Sequence, residues 1–166
     1  MLITTRRILL TLLVLNWFAA FVFVLFAAVL IIAPDYMTGE LTEDFGDKAD
    51  AARQALVGMM AIGLLAVPPV HVIFVRIIAM IDTVRGGRPF ESANADRLRH
   101  VAWGMFALQF VDLGFGWFAM RLSEATGELI GWQFSVTGWL AVLLLFVLAR
   151  VFQQGAAMQD EIEGTV

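Results

Sequence analysis

Four long apolar runs constrain this chain more than any motif in it. They occupy Ile8 to Ala33, Gln54 to Ile81, Val101 to Met120 and Leu129 to Ala149. About 20 apolar helical residues are enough to cross the hydrocarbon of a bilayer. The chain has 166 residues, of which 60% are hydrophobic and 16% charged, with a mean hydropathy of +0.82. Soluble domains run at about 45–50% and about 25%. The apolar residues are gathered into continuous stretches rather than spread at strand or helix periodicity, so lipid is the solvent they imply. The expected fold class is an all-α membrane protein: a four-transmembrane-helix bundle forming a single domain, residues 1–166.

The first run follows Arg6 and Arg7 and far exceeds the roughly 7–15 residues of a signal-peptide core, so it reads as a span. Pro34 ends it. The outer loop 34–53 carries Asp35, Glu40, Glu43, Asp44, Asp47 and Asp50 against Lys48 and Arg53. Its spacing lacks the alternating ligands and closing Glu of an EF-hand, which leaves a solvated acidic linker. Pro68-Pro69 interrupts the second span and deprives the carbonyls of Leu64 and Leu65 of helical donors, so a kink is expected there. Gly86-Gly87 stops that helix. The polar loop 82–100 follows, with Ser92 or Asn94 as an expected N-cap for a third helix running from about Ala93 to Arg121. Its first turns should project beyond the hydrocarbon. The fourth span, 129–149, is free of charge; its helix can continue through Val151-Phe152-Gln153-Gln154 into a tail, 151–166, that turns acidic near its end.

Orientation follows from the basic residues. Arg6, Arg7, Arg85, Arg88, Arg97, Arg99 and Arg150 flank one side of the spans, and Lys48, Arg53 and Arg121 the other. The positive-inside rule then places both termini and the central loop in the cytoplasm. Trp103, Trp117 and Trp132 lie near span ends and suit interfacial anchoring. The basic residues are explained by topology, so no nucleic-acid surface is expected. With no cysteine there is no thiolate site or disulfide. No nucleophile–base–orienter set can be assembled, so no enzyme, no metal and no cofactor are expected.

Residue counts from the cytoplasmic side bring a polar layer to mid-depth. His71 and Asp112 each lie roughly 15–17 Å in at about 1.5 Å per residue. Asn16 reaches a similar level, and Thr137 could join from the fourth span. An ionisable group in a span is by default a functional candidate, and a carboxylate paired with an imidazole could relay protons or bind a cation. The same layer could equally fix helix register.

The run Gly87-Arg-Pro-Phe90, then Asn94, then Arg97-Leu-Arg99, with Gly155 and a tail closing Glu163-Gly-Thr-Val166, resembles the signature of a bacterial family of small four-pass membrane proteins catalogued only as a domain of unknown function. The resemblance implies a bacterial cytoplasmic (inner) membrane location. It also implies a neighbouring helix-turn-helix regulator of the Cro/CI type as partner, and it carries no catalytic residues. On this reading Arg85, Arg88, Phe90, Asn94, Arg97 and Arg99 of the loop, with Asp160, Glu161, Glu163 and Val166 of the tail, dock a cytosolic partner or lipid headgroups. Ile162 and Val166 are compatible with adding an edge strand to a partner. The expected function is that of a non-enzymatic membrane regulator or sensor. The alternative is a small transporter, channel or proton-coupled sensor built on His71 and Asp112, with a homo-oligomer supplying a pore.

Overall fold

The computed structural model describes residues 2–32, 43 and 46–163, of which 160, 162 and 163 by backbone alone. Four long helices account for nearly all of it: α1 (Leu2–Ile32), α2 (Ala49–Arg85), α3 (Ser92–Thr126) and α4 (Val136–Glu163), with a short 3-10 turn at Gly46–Lys48. There is no strand among the described residues. All four helices are long and apolar enough to cross a membrane, as in a multi-pass membrane protein. Their largest apolar side chains point outward: Trp17, Phe18, Phe21, Leu143 and Leu144 are all exposed. Pro34 and most of the acidic loop lie outside the described residues. α2 continues as helix through Pro68-Pro69.

By packing, the chain divides into two compact units: residues 1–16, 68–109 and 135–166, and residues 17–67 and 110–134. On α2 the division falls at Val67 and Pro68, where the proline pair removes two helical amides.

In the first unit α2 leaves through a Schellman turn. Gly87 takes a positive φ of 76°, Arg88 N donates to Thr83 O at 3.0 Å and Gly87 N to Val84 O at 3.1 Å. Only glycine adopts that φ without Cβ strain. α3 then starts at Ser92, so neither expected capping residue lies outside the helix. Asn94 sits inside the first turn and is 1% exposed. Its Nδ2 donates to Pro89 O at 3.0 Å and to Thr83 Oγ1 at 2.9 Å, and its Oδ1 accepts from the Arg97 guanidinium at 2.8 Å. Thr83 Oγ1 donates back to Met80 O at 2.8 Å. One amide therefore holds the end of α2, the turn and the start of α3. At the surface, Arg6 Nε donates to Asp82 Oδ1 at 2.9 Å and joins α1 to α2. Deeper along α3, Trp103 meets Phe146 edge-to-face at 5.2 Å and Phe106 meets Trp139 at 5.9 Å, which pairs α3 with α4.

The second unit packs on small residues. Ala52 and Ala55 of α2 meet Leu122 and Ala125 of α3, with Leu56, Met59 and Ile130 around them. Phe118 lies where a Cβ on Gly58 would stand, so α2 and α3 approach closely there. Arg53 donates to Leu30 O at 3.4 Å, capping a carbonyl in the last turn of α1.

The fourth span departs from expectation at its start: Leu129 to Ser135 is not helical, and α4 begins at Val136. Its continuation into the tail past Gln154 reaches Glu163. Gly127, with a φ of 77°, ends α3, and the hydroxyls of Ser123 and Thr126 then engage the following backbone. These local bonds compete with continued helix.

Asn94→Ala leaves the Pro89 carbonyl and the Thr83 hydroxyl short of a donor in a buried site. It is expected to cost roughly 1–3 kcal/mol, read as an earlier thermal-unfolding midpoint in detergent. Exposed Ser92→Ala is expected to leave that midpoint unchanged.

Candidate functional site

The sequence points to two places, and the structure furnishes each differently. Of the polar layer, Asp112 falls in the second unit, while Asn16, His71 and Thr137 fall in the first. Asn16 and His71 are half-buried, and Thr137 is exposed on the first turn of α4. Asp112 accepts a hydrogen bond from Trp132, whose Nε1 donates to Oδ1 at 3.4 Å. Trp132 packs against α3, seated where a Cβ on Gly116 would stand.

That position follows from the non-helical stretch. Ile130 N donates to Ser123 Oγ at 3.3 Å, and the Trp132 ring packs on Gly116, so the chain doubles back along α3 between those levels. At about 1.5 Å per helical residue this is a descent of about 10 Å. Gly116 is one helical turn from Asp112 and shares its face. A glycine four residues from an intramembrane carboxylate is the signal that could have located the indole. The sequence reading also passed over Gln109, which is buried in α3 with its amide against Gly138. Among the described residues no group of three or more His, Asp or Glu is placed to hold a metal ion.

The second place is the turn between α2 and α3 together with the end of α4, all within the first unit. The arginines expected to face a partner each have a local one: Arg85 lies 3.7 Å from Asp82, Arg88 3.4 Å from Glu91, and Arg99 2.8 Å from Asp96. Arg97 bonds Asn94. Asn94 itself presents no surface: at 1% exposure its amide is spent inside the turn, which removes it from the docking set. Phe90 stays half exposed, yet its ring rests 5.8 Å from that of Phe152 on α4, beside Gly155. The tail through Glu163 is helical, so the expected strand addition by Ile162 is replaced by a helix. Val166 and the side chains of Asp160 and Glu163 lie outside the described residues; Glu161 is exposed.

Between the start of α3 and the tail of α4 runs a shallow trough made of two adjoining clefts of about 140 and 250 Å³. Ala95, Ala149 and Ala156 form its apolar floor, and Asp96, Arg150 and Gln153 supply polar groups along it.

A family model described as "Protein of unknown function (DUF2975)" matches residues 33–166. The chain belongs to the DUF2975 family. The match takes in α2, the turn, α3 and α4, and begins just past α1. His71, Asp112, Thr137 and the whole α2–α3 turn with the α4 tail therefore fall inside the segment that defines DUF2975 membership, and Asn16 on α1 falls outside it. No curated protein and no solved structure matches the chain.

A double-mutant cycle tests the Asp112–Trp132 bond. Asp112→Leu and Trp132→Phe are expected to show a coupling of about 0.5–1.5 kcal/mol in detergent unfolding, the usual size for polar pairs between membrane helices. Asp112→Asn, which keeps the acceptor oxygen, is expected to retain most of the stability.

Proposed function

We propose that this chain is a non-enzymatic membrane protein that docks a cytosolic partner on the surface formed by the α2–α3 turn and the helical tail of α4. One observation carries the reading. The Phe90–Phe152 contact joins the turn to a tail that continues as helix beyond the apolar run, so the two make one composite surface with a trough along it. A connector that only reverses the chain needs neither feature. α3 likewise begins about nine residues before its apolar run, a polar extension of roughly 13 Å at 1.5 Å per residue.

Charge supports the cytoplasmic side. Arg6, Arg7, Arg76, Arg85, Arg88, Arg97, Arg99 and Arg150 belong to the first unit, against Lys48, Arg53 and Arg121 in the second. The positive-inside rule then orients the turn and the tail inward. The resemblance read from the sequence supplies the class of partner, a small helix-turn-helix regulator, and the bacterial inner membrane as location. A helix seated in the trough fits the groove-binding mode, with small residues on the floor and polar groups at the rim.

Affinity purification from native membranes tests this. The chain truncated after Met158 and the Ala157→Trp variant are each expected to lose specific partners at least about tenfold, a change near 1.4 kcal/mol in binding. Both should still insert and fold. Recovery of the same partners by both variants contradicts docking at this surface.

A second reading, ion or proton movement past Asp112, is favoured by the non-helical backbone beside that carboxylate. Irregular backbone at membrane depth is stable only when buried in protein or lining a hydrated cavity. It is expected to show as flux in liposomes that Asp112→Asn abolishes, and absence of flux from the wild-type chain removes it.

A further inference from the structure

The second unit contains a cleft of about 450 Å³ between the start of α2 and the end of α3, which neither the polar layer nor the docking surface uses. Its size falls in the ordinary range for small-molecule sites, about 300–1,000 Å³. Three charged residues line it: Lys48 from the 3-10 turn, and Arg121 and Glu124 from α3. The Arg121 guanidinium lies over the Trp117 ring at 5.3 Å from its centroid. Stacking engages the face of a guanidinium and leaves its in-plane N–H donors for an anion. Lys48 Nζ donates to Glu124 O at 3.4 Å, which brings the ammonium to the mouth of the same cleft.

The cleft also straddles a chemical boundary on both helices. On α2 the polar stretch ends at Arg53 and Gln54, and on α3 the apolar run gives way at Met120 and Arg121. Ala51 and Ala55 form one wall and Phe118 the other, and the Phe118 ring continues inward over Gly58. A water-soluble ligand would be expected in a wholly polar recess. This one is charged at the rim and apolar further along, and Trp117 sits a turn inside Arg121, where interfacial aromatics lie.

The geometry points to a headgroup site for an amine-bearing phospholipid. Its phosphate sits between Lys48 and Arg121, its primary ammonium donates to the Glu124 carboxylate, and its acyl chains follow the apolar wall. Two cations and one carboxylate discriminate among headgroups. A phosphoglycerol headgroup satisfies the cations but gives Glu124 no cation. A phosphocholine headgroup carries a charge with no N–H to donate. The site stands apart from the docking reading, since every residue in it belongs to the second unit.

Native mass spectrometry of the full chain, titrated in detergent with phosphatidylethanolamine, phosphatidylglycerol or phosphatidylcholine, tests it. Phosphatidylethanolamine is expected to be retained about tenfold better than either of the others, about 1.4 kcal/mol of preference. The Lys48→Gln/Arg121→Gln double variant is expected to lose that retention, and Glu124→Gln to erase the preference over phosphatidylglycerol while keeping phosphate binding. Ala51→Trp fills the cleft from an exposed position without changing charge, and is expected to expel the lipid even if the double variant does not fold. Equal retention of the three lipids overturns the proposal. So does undiminished phosphatidylethanolamine retention by Ala51→Trp, and so does its displacement by equimolar free phosphoethanolamine.

Discussion

Hydrocarbon cannot hydrogen-bond a peptide group, and the rest of the structure depends on that. Helix is the conformation in which a single segment satisfies its own amides and carbonyls, so the apolar runs are helical for nearly all of their length, the start of the fourth excepted. Lipid tails are also as apolar as leucine, which leaves no hydrophobic drive to bring helices together. Close approach and dispersion must do so. The small residues are accordingly inside and the large ones outside. Ala52, Ala55 and Ala125 make the buried cluster of the second unit, and Phe118 enters the notch left by Gly58. In the first unit Ile73 packs where a Cβ on Gly104 would stand. Replacing such glycines would separate the helices rather than fill space between them.

Where the chain leaves regular helix, side chains take over the hydrogen bonding. At the turn between α2 and α3 the task falls to Asn94, whose short amide reaches the Pro89 carbonyl and the Thr83 hydroxyl at once and still accepts from Arg97. A buried amide with its donors and acceptor engaged rigidifies what it joins. Beyond α3 the task falls to the hydroxyls of Ser123 and Thr126, which turn the chain back toward Trp132 and Asp112. Both devices use short polar side chains next to glycines of positive φ, Gly87 and Gly127. The first makes a rigid cytoplasmic platform under the proposed orientation. The second brings an indole donor to the Asp112 carboxylate.

Element existence was legible because hydropathy acts over some twenty residues at a time. The same averaging hid the break at Leu129 to Ser135. Leu129, Ile130, Trp132 and Phe134 read as span by composition, yet local hydroxyl bonds and the Gly127 turn set their backbone. The tail shows the opposite limit. Its apolar residues are sparse, so composition carried the helix only into its first turn, whereas helix propagates readily once α4 has nucleated it. Asn94 shows a third limit: its residue type and position suggested a helix cap, while its burial decided that it would bind the turn instead.

The amino-acid sequence by itself determined four apolar helices, the break at Gly86-Gly87, and the concentration of arginine around the central turn. These are properties of single segments, set by transfer energies and by backbone freedom. Tertiary structure alone decided that Asp112 would meet an indole from a non-helical stretch, that Phe90 would rest on Phe152, and that Lys48, Arg121 and Glu124 would share a cleft. Each of those pairings depends on how closely two segments approach, and that distance is set by notches and rotamers on both.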